Sequence, residues 1–227
     1  MLNSIIKRHN MITPLSETEI KIIKSATKLF LEQGFSKTTH RQIAKESGIG
    51  LGTITYHYKV KEDLLRLLVE EIMDFHLDVI DDSFERAGDC LYSYGIEIAV
   101  QIALCEVDLK AYDLYYAAYR HPATFDYIKE WAAKKNYHLF KDKLPSWSEE
   151  DFRTMENITS GIELAAFTTP CGRYFSLNDK ITLFLDSMLK IYNIDENERK
   201  ATIEKVTSLD CEAIAKEMFE KFVKRLN

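Results

Sequence analysis

The chain has 227 residues, 46% of them apolar and 29% charged, enough for one large domain or for a small domain beside a medium one. No apolar run approaches the roughly 20 residues that span a bilayer, and the N-terminus offers only Ser4 to Ile6 before Lys7, Arg8 and His9, so neither a membrane span nor a secretory signal is expected and the protein is read as cytoplasmic. A net charge of -6 argues against a polyanionic partner until the chain is divided: residues 1–63 carry ten Lys and Arg against six Asp and Glu, or +4, and the remainder carries twenty against thirty, or -10. Only the first quarter suits phosphate. Cys90, Cys105, Cys171 and Cys211 form no CxxC pair and no zinc-ligand spacing; they are expected to be reduced and structural, with oxidant sensing by one of them as the alternative. No metal site and no cofactor is expected.

Eight Gly, four Pro and apolar residues at three- and four-residue spacing predict an all-α fold. Residues 1–15 read as a loosely held N-terminal arm. Ser16-Glu17-Thr18-Glu19 is a capping box ahead of the stripe Ile22, Ile23, Ala26, Leu29 and Phe30, and that helix ends near Gly34. A second box, Thr39-His40-Arg41-Gln42, opens a short helix that reaches Ser47, after which Gly48 can adopt the left-handed conformation of a sharp turn. A third helix starts around Gly50. Next comes a long helix from Lys61 to Arg86, about 35 to 40 Å at 1.5 Å per residue, able to join two domains rigidly. Its apolar face carries Leu64, Leu65, Leu68, Ile72, Phe75, Val79 and Ile80; Asp74, Asp78, Asp81, Asp82 and Glu85 make an acidic face, read as solvated surface with cation recognition as the alternative. Further helices are predicted at about 90–104, 109–119, 122–141, 148–168 and 177–192, with one or two after Asp195. Pro122 suits a first helical position, while Ser146-Trp147-Ser148-Glu149 and Asp195-Glu196-Asn197-Glu198 look like helix starts.

The segment from Gln42 to Tyr58 carries the chemistry. Two helices crossing steeply need a small residue at the contact, glycine at the turn and apolar residues on both inner faces; Ala44, Gly48, and Ile43, Ile49 and Ile54 supply them. Such a helix-turn-helix corner also occurs in ordinary all-α proteins. The third helix, however, offers Thr53, Thr55, Tyr56 and His57 outward, hydroxyls and an imidazole short enough to reach phosphates or base edges. Lys37, Arg41, Lys45, Lys59 and Lys61 surround them, and helix N-termini near Thr39 and Gly50 can offer N–H groups to phosphate oxygens.

Gly34-Phe35, Thr38-Thr39, Ile43-Ala44, Gly48-Ile49, Gly52-Thr53-Ile54 and Tyr58-Lys59-Val60-Lys61-Glu62-Asp63-Leu64 together resemble the DNA-binding region of the TetR family over residues 16–64. The resemblance implies a three-helix DNA-binding domain (16–62) followed by a larger helical effector-binding and dimerisation domain (63–227). It implies that Thr38, Thr39 and Arg41 touch the DNA backbone at the start of the second helix, that Gly50, Leu51, Thr53, Thr55, Tyr56 and His57 form the recognition helix, and that Lys61 holds another phosphate. Three positions depart from the family pattern. Thr55 stands where an aromatic is common, Val60 where a small polar cap is common, and His40 where an aliphatic is common; His40 is read as a partly buried packing residue.

The remaining helices resemble the family only in type and length. The resemblance implies that the last long helices pair across a two-fold axis, where Gly161 and Ala165, four apart with Leu164 between them, would let helices approach closely against an apolar stripe of Ile181, Phe184, Leu185 and Met188; packing of both faces within one chain is the alternative. Phe75, Tyr92, Tyr112, Tyr115, Tyr116, Tyr119 and Trp131 are candidate lining for a cavity that takes a largely apolar small-molecule effector. The function expected is a ligand-responsive regulator, repression being the family's commoner habit, that binds double-stranded operator DNA as a homodimer. A helical protein-interaction module that keeps the corner without binding DNA is the alternative. An enzyme is not expected, since HExxH, P-loop, GxSxG and GxGxxG motifs are all lacking.

Overall fold

The computed structural model describes residues 15–226, with 77–87 given as backbone alone. Residues 1–14 of the expected arm, the Val79 and Ile80 part of the long stripe, and acidic Asp78, Asp81, Asp82 and Glu85 lie outside the described residues. The helices are α1 (Glu17–Gln33), α2 (His40–Ser47), α3 (Leu51–His57), α4 (Lys61–Ala87), α5 (Cys90–Val107), α6 (Leu109–Arg120), α7 (Pro122–Phe140), α8 (Glu149–Thr168), α9 (Leu177–Ile191), α10 (Glu196–Thr207) and α11 (Cys211–Leu226). Among the described residues no strand forms, only a lone bridge between Gly172 and Phe175, and the class is all-α as expected.

Side-chain caps fix several of the starts. At Ser16 and Thr39 the hydroxyl accepts the N–H three residues on, while Glu19 and Gln42 accept the N–H of the cap residue in return. Ser148 with Asp151 and Ser176 with Asp179 repeat the arrangement with an aspartate. Ser148, rather than Ser146, therefore starts α8. Each such cap is worth about 1 kcal/mol.

The chain divides into two compact units. One holds the described residues up to Phe75 together with Leu109–Phe125 and the chain from Glu220; the other holds His76–Asp108 and Asp126–Phe219. In the first unit Ile22, Ile23 and Phe30 of α1, Ile43 of α2, Ile54 of α3, and Leu64 and Leu65 of α4 are fully buried. Asp113 of α6 reaches the α1–α2 connection, where its carboxylate accepts the Ser36 N–H at 2.7 Å and the Ser36 hydroxyl. Gly34 suits that approach twice over: its φ is 95°, and a Cβ there would lie 3.1 Å from the Asp113 carboxylate.

In the second unit α5 departs from the expectation that nothing in the chain is long and apolar enough to span a bilayer. Its 18 residues have a mean hydropathy of 1.3, enough by length and composition, but 72% of them are buried inside the fold. It is apolar because it is the core helix. Gly95 lies where α9 and α10 press on it, so that a Cβ would come within 2.9 Å of Val206 Cγ2 and 3.6 Å of Leu185 Cδ1. Ile181, Phe184, Leu185 and Met188 of α9 are buried within this unit. The stripe expected at a dimer interface is therefore intrachain core, and the alternative of packing within one chain holds for it.

Two predictions follow from this packing. Gly95→Ala gains about 1 kcal/mol in helix propensity but overpacks against Val206, at a cost of roughly 1 to 3 kcal/mol, so the urea midpoint should fall; a rise would mean that α10 yields freely. His76 Nδ1 lies 3.8 Å from a Glu97 oxygen, yet burial and the Lys135 charge lower its pKa to about 3, so the ring is neutral at pH 7 and the contact is no ion pair. The unfolded ring takes up a proton near pH 6.5 and the folded one only near 3. Stability is thus complete above the unfolded value and lost as pH falls through that window, by up to about 1.4 kcal/mol per pH unit. Replacing His76 with Gln should flatten the slope of the denaturation midpoint between about pH 6.5 and 4.5.

Candidate nucleic-acid interface

α2 and α3 are joined by Gly48, Ile49 and Gly50, with Gly48 in the left-handed conformation at φ 69°. The Ser47 hydroxyl donates to the Ile43 carbonyl at 2.7 Å and accepts the Ile49 N–H at 3.3 Å, which ties the corner together. Within α3, Ile54 alone is buried. Leu51, Gly52, Thr53, Thr55, Tyr56 and His57 are exposed, as is Gly50 ahead of them, and Tyr56 is 81% exposed. No side chain caps the first turn of α3, although the Thr53 N–H already donates to the Gly50 carbonyl at 3.0 Å. Thr39, Arg41, Lys37, Lys45 and Lys59 are exposed around this helix.

The outward side chains are partly oriented. The Thr55 hydroxyl donates back to the Leu51 and Gly52 carbonyls, 3.1 Å from each, and keeps its oxygen as an acceptor. His57 Nδ1 is 3.5 Å from Glu19, and the Tyr56 ring meets the imidazole edge-on at 5.3 Å. Burial raises the Glu19 carboxyl, but hydrogen bonds from the Ser16 N–H and hydroxyl, together with His57, hold it below its ordinary value. Glu19 is therefore an ionised anchor for His57, at the edge of a hollow of about 350 Å³ also lined by Asp63, Arg66 and His121.

Two expected phosphate contacts are corrected. Thr38 is 1% exposed, and its hydroxyl donates to the Gly34 carbonyl at 2.8 Å and accepts from Gln33 Nε2 at 3.1 Å. It closes the α1–α2 connection instead of facing outward. Lys61 donates to the carbonyls of Phe35 at 2.9 Å and Thr38 at 3.2 Å, with its ammonium 4.1 Å from the Phe35 ring centre. It staples the start of α4 to that same connection, a role no motif announces because its partners are backbone carbonyls 23 and 26 residues away. At the other departures, Asp63 accepts the Val60 N–H at 3.4 Å, so α4 is capped from inside the helix, and His40 is half-buried with Nε2 lacking a hydrogen bond.

The aromatic candidates divide between the units. Phe75, Tyr112, Tyr115, Tyr116 and Tyr119 belong to the first, where Phe75 packs on Phe222 at 5.4 Å and Tyr112 stacks on Tyr116 at 5.9 Å; Tyr115 and Tyr119 are buried. Tyr92 and Trp131 belong to the second, Tyr92 beneath Lys205 and Trp131 beside Lys135. The rings that do gather in the second unit are Tyr94, Phe140, Trp147, Phe152 and Tyr192, with neighbouring centroids 5.3 to 6.4 Å apart. Polar side chains enter that cluster. Lys135 pairs with Glu97 at 2.6 Å, and Asn136 donates to Glu156 at 2.8 Å. Burial holds the Glu156 carboxyl above its ordinary value, against the smaller lowering effect of Lys135 and the hydrogen-bonding side chains beside it. The sequence signal for these residues is their register: Asn136 falls four before buried Phe140, and Glu156 four after buried Phe152.

On the outer face of α8, Gly161 and Ala165 are exposed and Leu164 is half-buried. Ile158, 66% exposed, and Ile162 complete a stripe at helical spacing, with Leu183 of α9 beside it at 61% exposure. Ile162, Ala165, Ala166, Phe175, Leu183 and Phe184 line a groove of about 350 Å³ there. A Cβ on Gly161 would meet nothing within 4 Å.

The family model for bacterial regulatory proteins of the tetR family matches residues 22–68. Over 194 residues the chain is 37% identical to the HTH-type transcriptional regulator SAS2464 of Staphylococcus aureus (strain MSSA476), spanning 81% of this chain and 96% of that one. A stretch of 71 residues is 37% identical to the HTH-type transcriptional regulator HbdR of Aromatoleum sp. (strain CIB), spanning 31% of each chain. Among solved structures, RolR in complex with its ligand resorcinol has the same fold, with a TM-score of 0.66 at 18% identity over 82% of this chain and 93% of that one.

The Lys61 geometry makes a prediction. Lys61→Ala leaves two carbonyls short of charged donors and should lower stability by about 1 to 3 kcal/mol in a urea titration. It should leave the slope of log DNA affinity against log salt unchanged, whereas loss of a phosphate contact reduces that slope by about one.

Proposed function

Since the chain belongs to the TetR family of transcriptional regulators and carries a helix-turn-helix DNA-binding domain, we propose that it is a ligand-responsive repressor whose homodimer binds a pseudo-palindromic operator through α3. The observation that carries this reading is the outward face of α3, where Thr53, Thr55, Tyr56 and His57 stay exposed while Ile54 alone is buried. Hydroxyls and an imidazole there reach base edges in a major groove, and Thr39, Arg41, Lys37, Lys45 and Lys59 hold the flanking phosphates. Opposite charge in the rest of the chain keeps the body off the duplex.

One α3 reads few base pairs, and a two-fold partner doubles the site, with half-sites about one helical turn apart. The dimer face is the stripe of exposed Ile158, Gly161 and Ala165 and half-buried Ile162, with exposed Leu183, in place of the buried α9 residues. Small Gly161 and Ala165 let the partner helix approach closely. A small-molecule effector bound by the second unit shifts the equilibrium between conformations with different operator affinity. A coupling of about 1 to 3 kcal/mol changes that affinity roughly 5- to 150-fold. α4, α7 and α11 each run from one unit into the other and are the elements through which the change travels.

The test uses labelled DNA from the promoter of the protein's own gene, titrated by fluorescence anisotropy across a salt series. Affinity should fall steeply with salt, and Thr53→Ala or Tyr56→Ala should weaken it by about 1 to 3 kcal/mol without changing the fold. Leu183→Glu should sediment as a monomer and lose most operator affinity. Retention of full affinity by both α3 variants would move the reading surface away from α3, and a dimeric Leu183→Glu protein would move the two-fold contact off this face.

A further inference from the structure

The second unit buries more polar chemistry than its own hydrogen bonds satisfy. Tyr94, Asn136, Glu156 and Tyr192, from α5, α7, α8 and the end of α9, are each no more than 1% exposed. Asn136 Nδ2 donates to Glu156 Oε1 at 2.8 Å and lies 3.2 Å from the Tyr192 hydroxyl, which itself reaches Oε1 at 3.3 Å. The Tyr94 hydroxyl, Asn136 Oδ1 and Glu156 Oε2 make no hydrogen bond of ordinary geometry. Each buried polar group left unpaired costs about 1 to 3 kcal/mol. Three in one cluster mark a place built to receive donors rather than a finished core.

The chemistry of the cluster selects the donor. Asn136 Oδ1 only accepts hydrogen bonds and the Tyr94 hydroxyl can accept, while burial holds the Glu156 carboxyl above its ordinary value, so that Oε2 becomes a full acceptor when a positive group beside it favours ionisation. The Lys135 ammonium is already held by Glu97 at 2.6 Å, and Gln101 donates to the same carboxylate at 2.9 Å, so the nearest cation is spoken for. Glu163 adds another buried carboxyl, and its charge, with those of Glu156 and Glu97, acts on Tyr94. Neighbouring His76 is neutral. The surrounding rings, Phe140, Phe152, Trp147 and Tyr192, present faces that attract cations and shed water. Acceptors, a buried carboxyl that a cation would help to ionise, and aromatic faces all favour a positive ligand over a neutral or negative one.

We infer that this cluster is the binding site for a small organic ammonium ion, its N–H groups donated to Asn136 Oδ1 and Glu156 Oε2 and its apolar part packed against Phe140 and Phe152. The inference rests on the ligand-responsive reading above and deepens it by naming the site and the ligand class.

Three probes of one shape and different charge test it on the full-length protein: benzylammonium, benzyl alcohol and benzoate, followed by calorimetry and by tryptophan fluorescence, since Trp147 lies 5.3 Å from Phe152. Benzylammonium should bind and raise the melting temperature, benzyl alcohol should bind about tenfold more weakly or worse, and benzoate should not bind. Glu156→Gln should weaken benzylammonium about tenfold or more, and Tyr94→Phe, which keeps the ring, should weaken it several-fold. Circular dichroism without ligand verifies that each variant folds; if Glu156→Gln does not, Tyr94→Phe decides. Equal binding of the alcohol or the benzoate, undiminished binding by the folded variants, or no binding by any probe overturns the inference. Operator anisotropy separates the two readings. Glu156-dependent binding that leaves operator affinity unchanged keeps the site and removes the ligand-responsive mechanism, whereas release from DNA by another compound, undisturbed by either variant, keeps the mechanism and removes the site.

Discussion

What this protein can present to DNA depends on the burial of one side chain, Ile54. A helix of seven residues is far below the roughly 12 to 15 at which isolated helices become even marginal in water, so α3 has no helical stability of its own. It exists because Ile54 is buried, as Ile22, Ile43 and Leu64 are in the core of the same unit. Because a single residue is held inward, the rest of the helix is free to face outward, and its exposed side chains can be polar or aromatic without cost to the core. The economy of that anchoring gives the outward face of α3 its variety of chemistry.

That small core is secured from outside by two polar ties at one place. The connection between α1 and α2 accepts the Lys61 ammonium on two carbonyls, and it donates the Ser36 N–H and hydroxyl to Asp113. One tie comes from the start of α4 and the other from α6, so that loop is gripped by two helices distant in sequence. Thr38 closes the same loop from within. Residues that resemble phosphate ligands in linear order thus serve the scaffold, while α3 and the cations of Lys37, Arg41, Lys45 and Lys59 remain exposed.

The second unit obeys a different constraint. Its central helix is apolar enough to pass for a membrane span, yet carries Glu97 and Gln101, both buried. Burying a carboxylate without a partner is prohibitively unfavourable, and Lys135 resolves the conflict for Glu97 across a neighbouring helix. Glu156 is only half resolved, through Asn136 and Tyr192 on one oxygen. Protein cores keep incompletely satisfied polar clusters chiefly where function requires them, and the concentration of such groups among aromatic rings sets this region apart from the apolar packing around Gly95.

Local chemistry in the sequence determined the helices almost to the residue. Capping boxes at Ser16 and Thr39, the left-handed Gly48 and the stripe through Ile22 and Phe30 act within a few residues of one another, and so they can be read without knowing the fold. The corner and its outward polar face were legible for the same reason. Only the tertiary structure decided which polar residues turn inward, since Thr38 and Lys61 choose partners by proximity in space. It also decided that Ile181, Phe184, Leu185 and Met188 are core while Ile158 and Leu183 remain exposed: an amphipathic stripe states that a face must be covered, and only neighbouring helices decide what covers it. The same holds for Asn136 and Glu156, ordinary in sequence and unusual only once four elements enclose them.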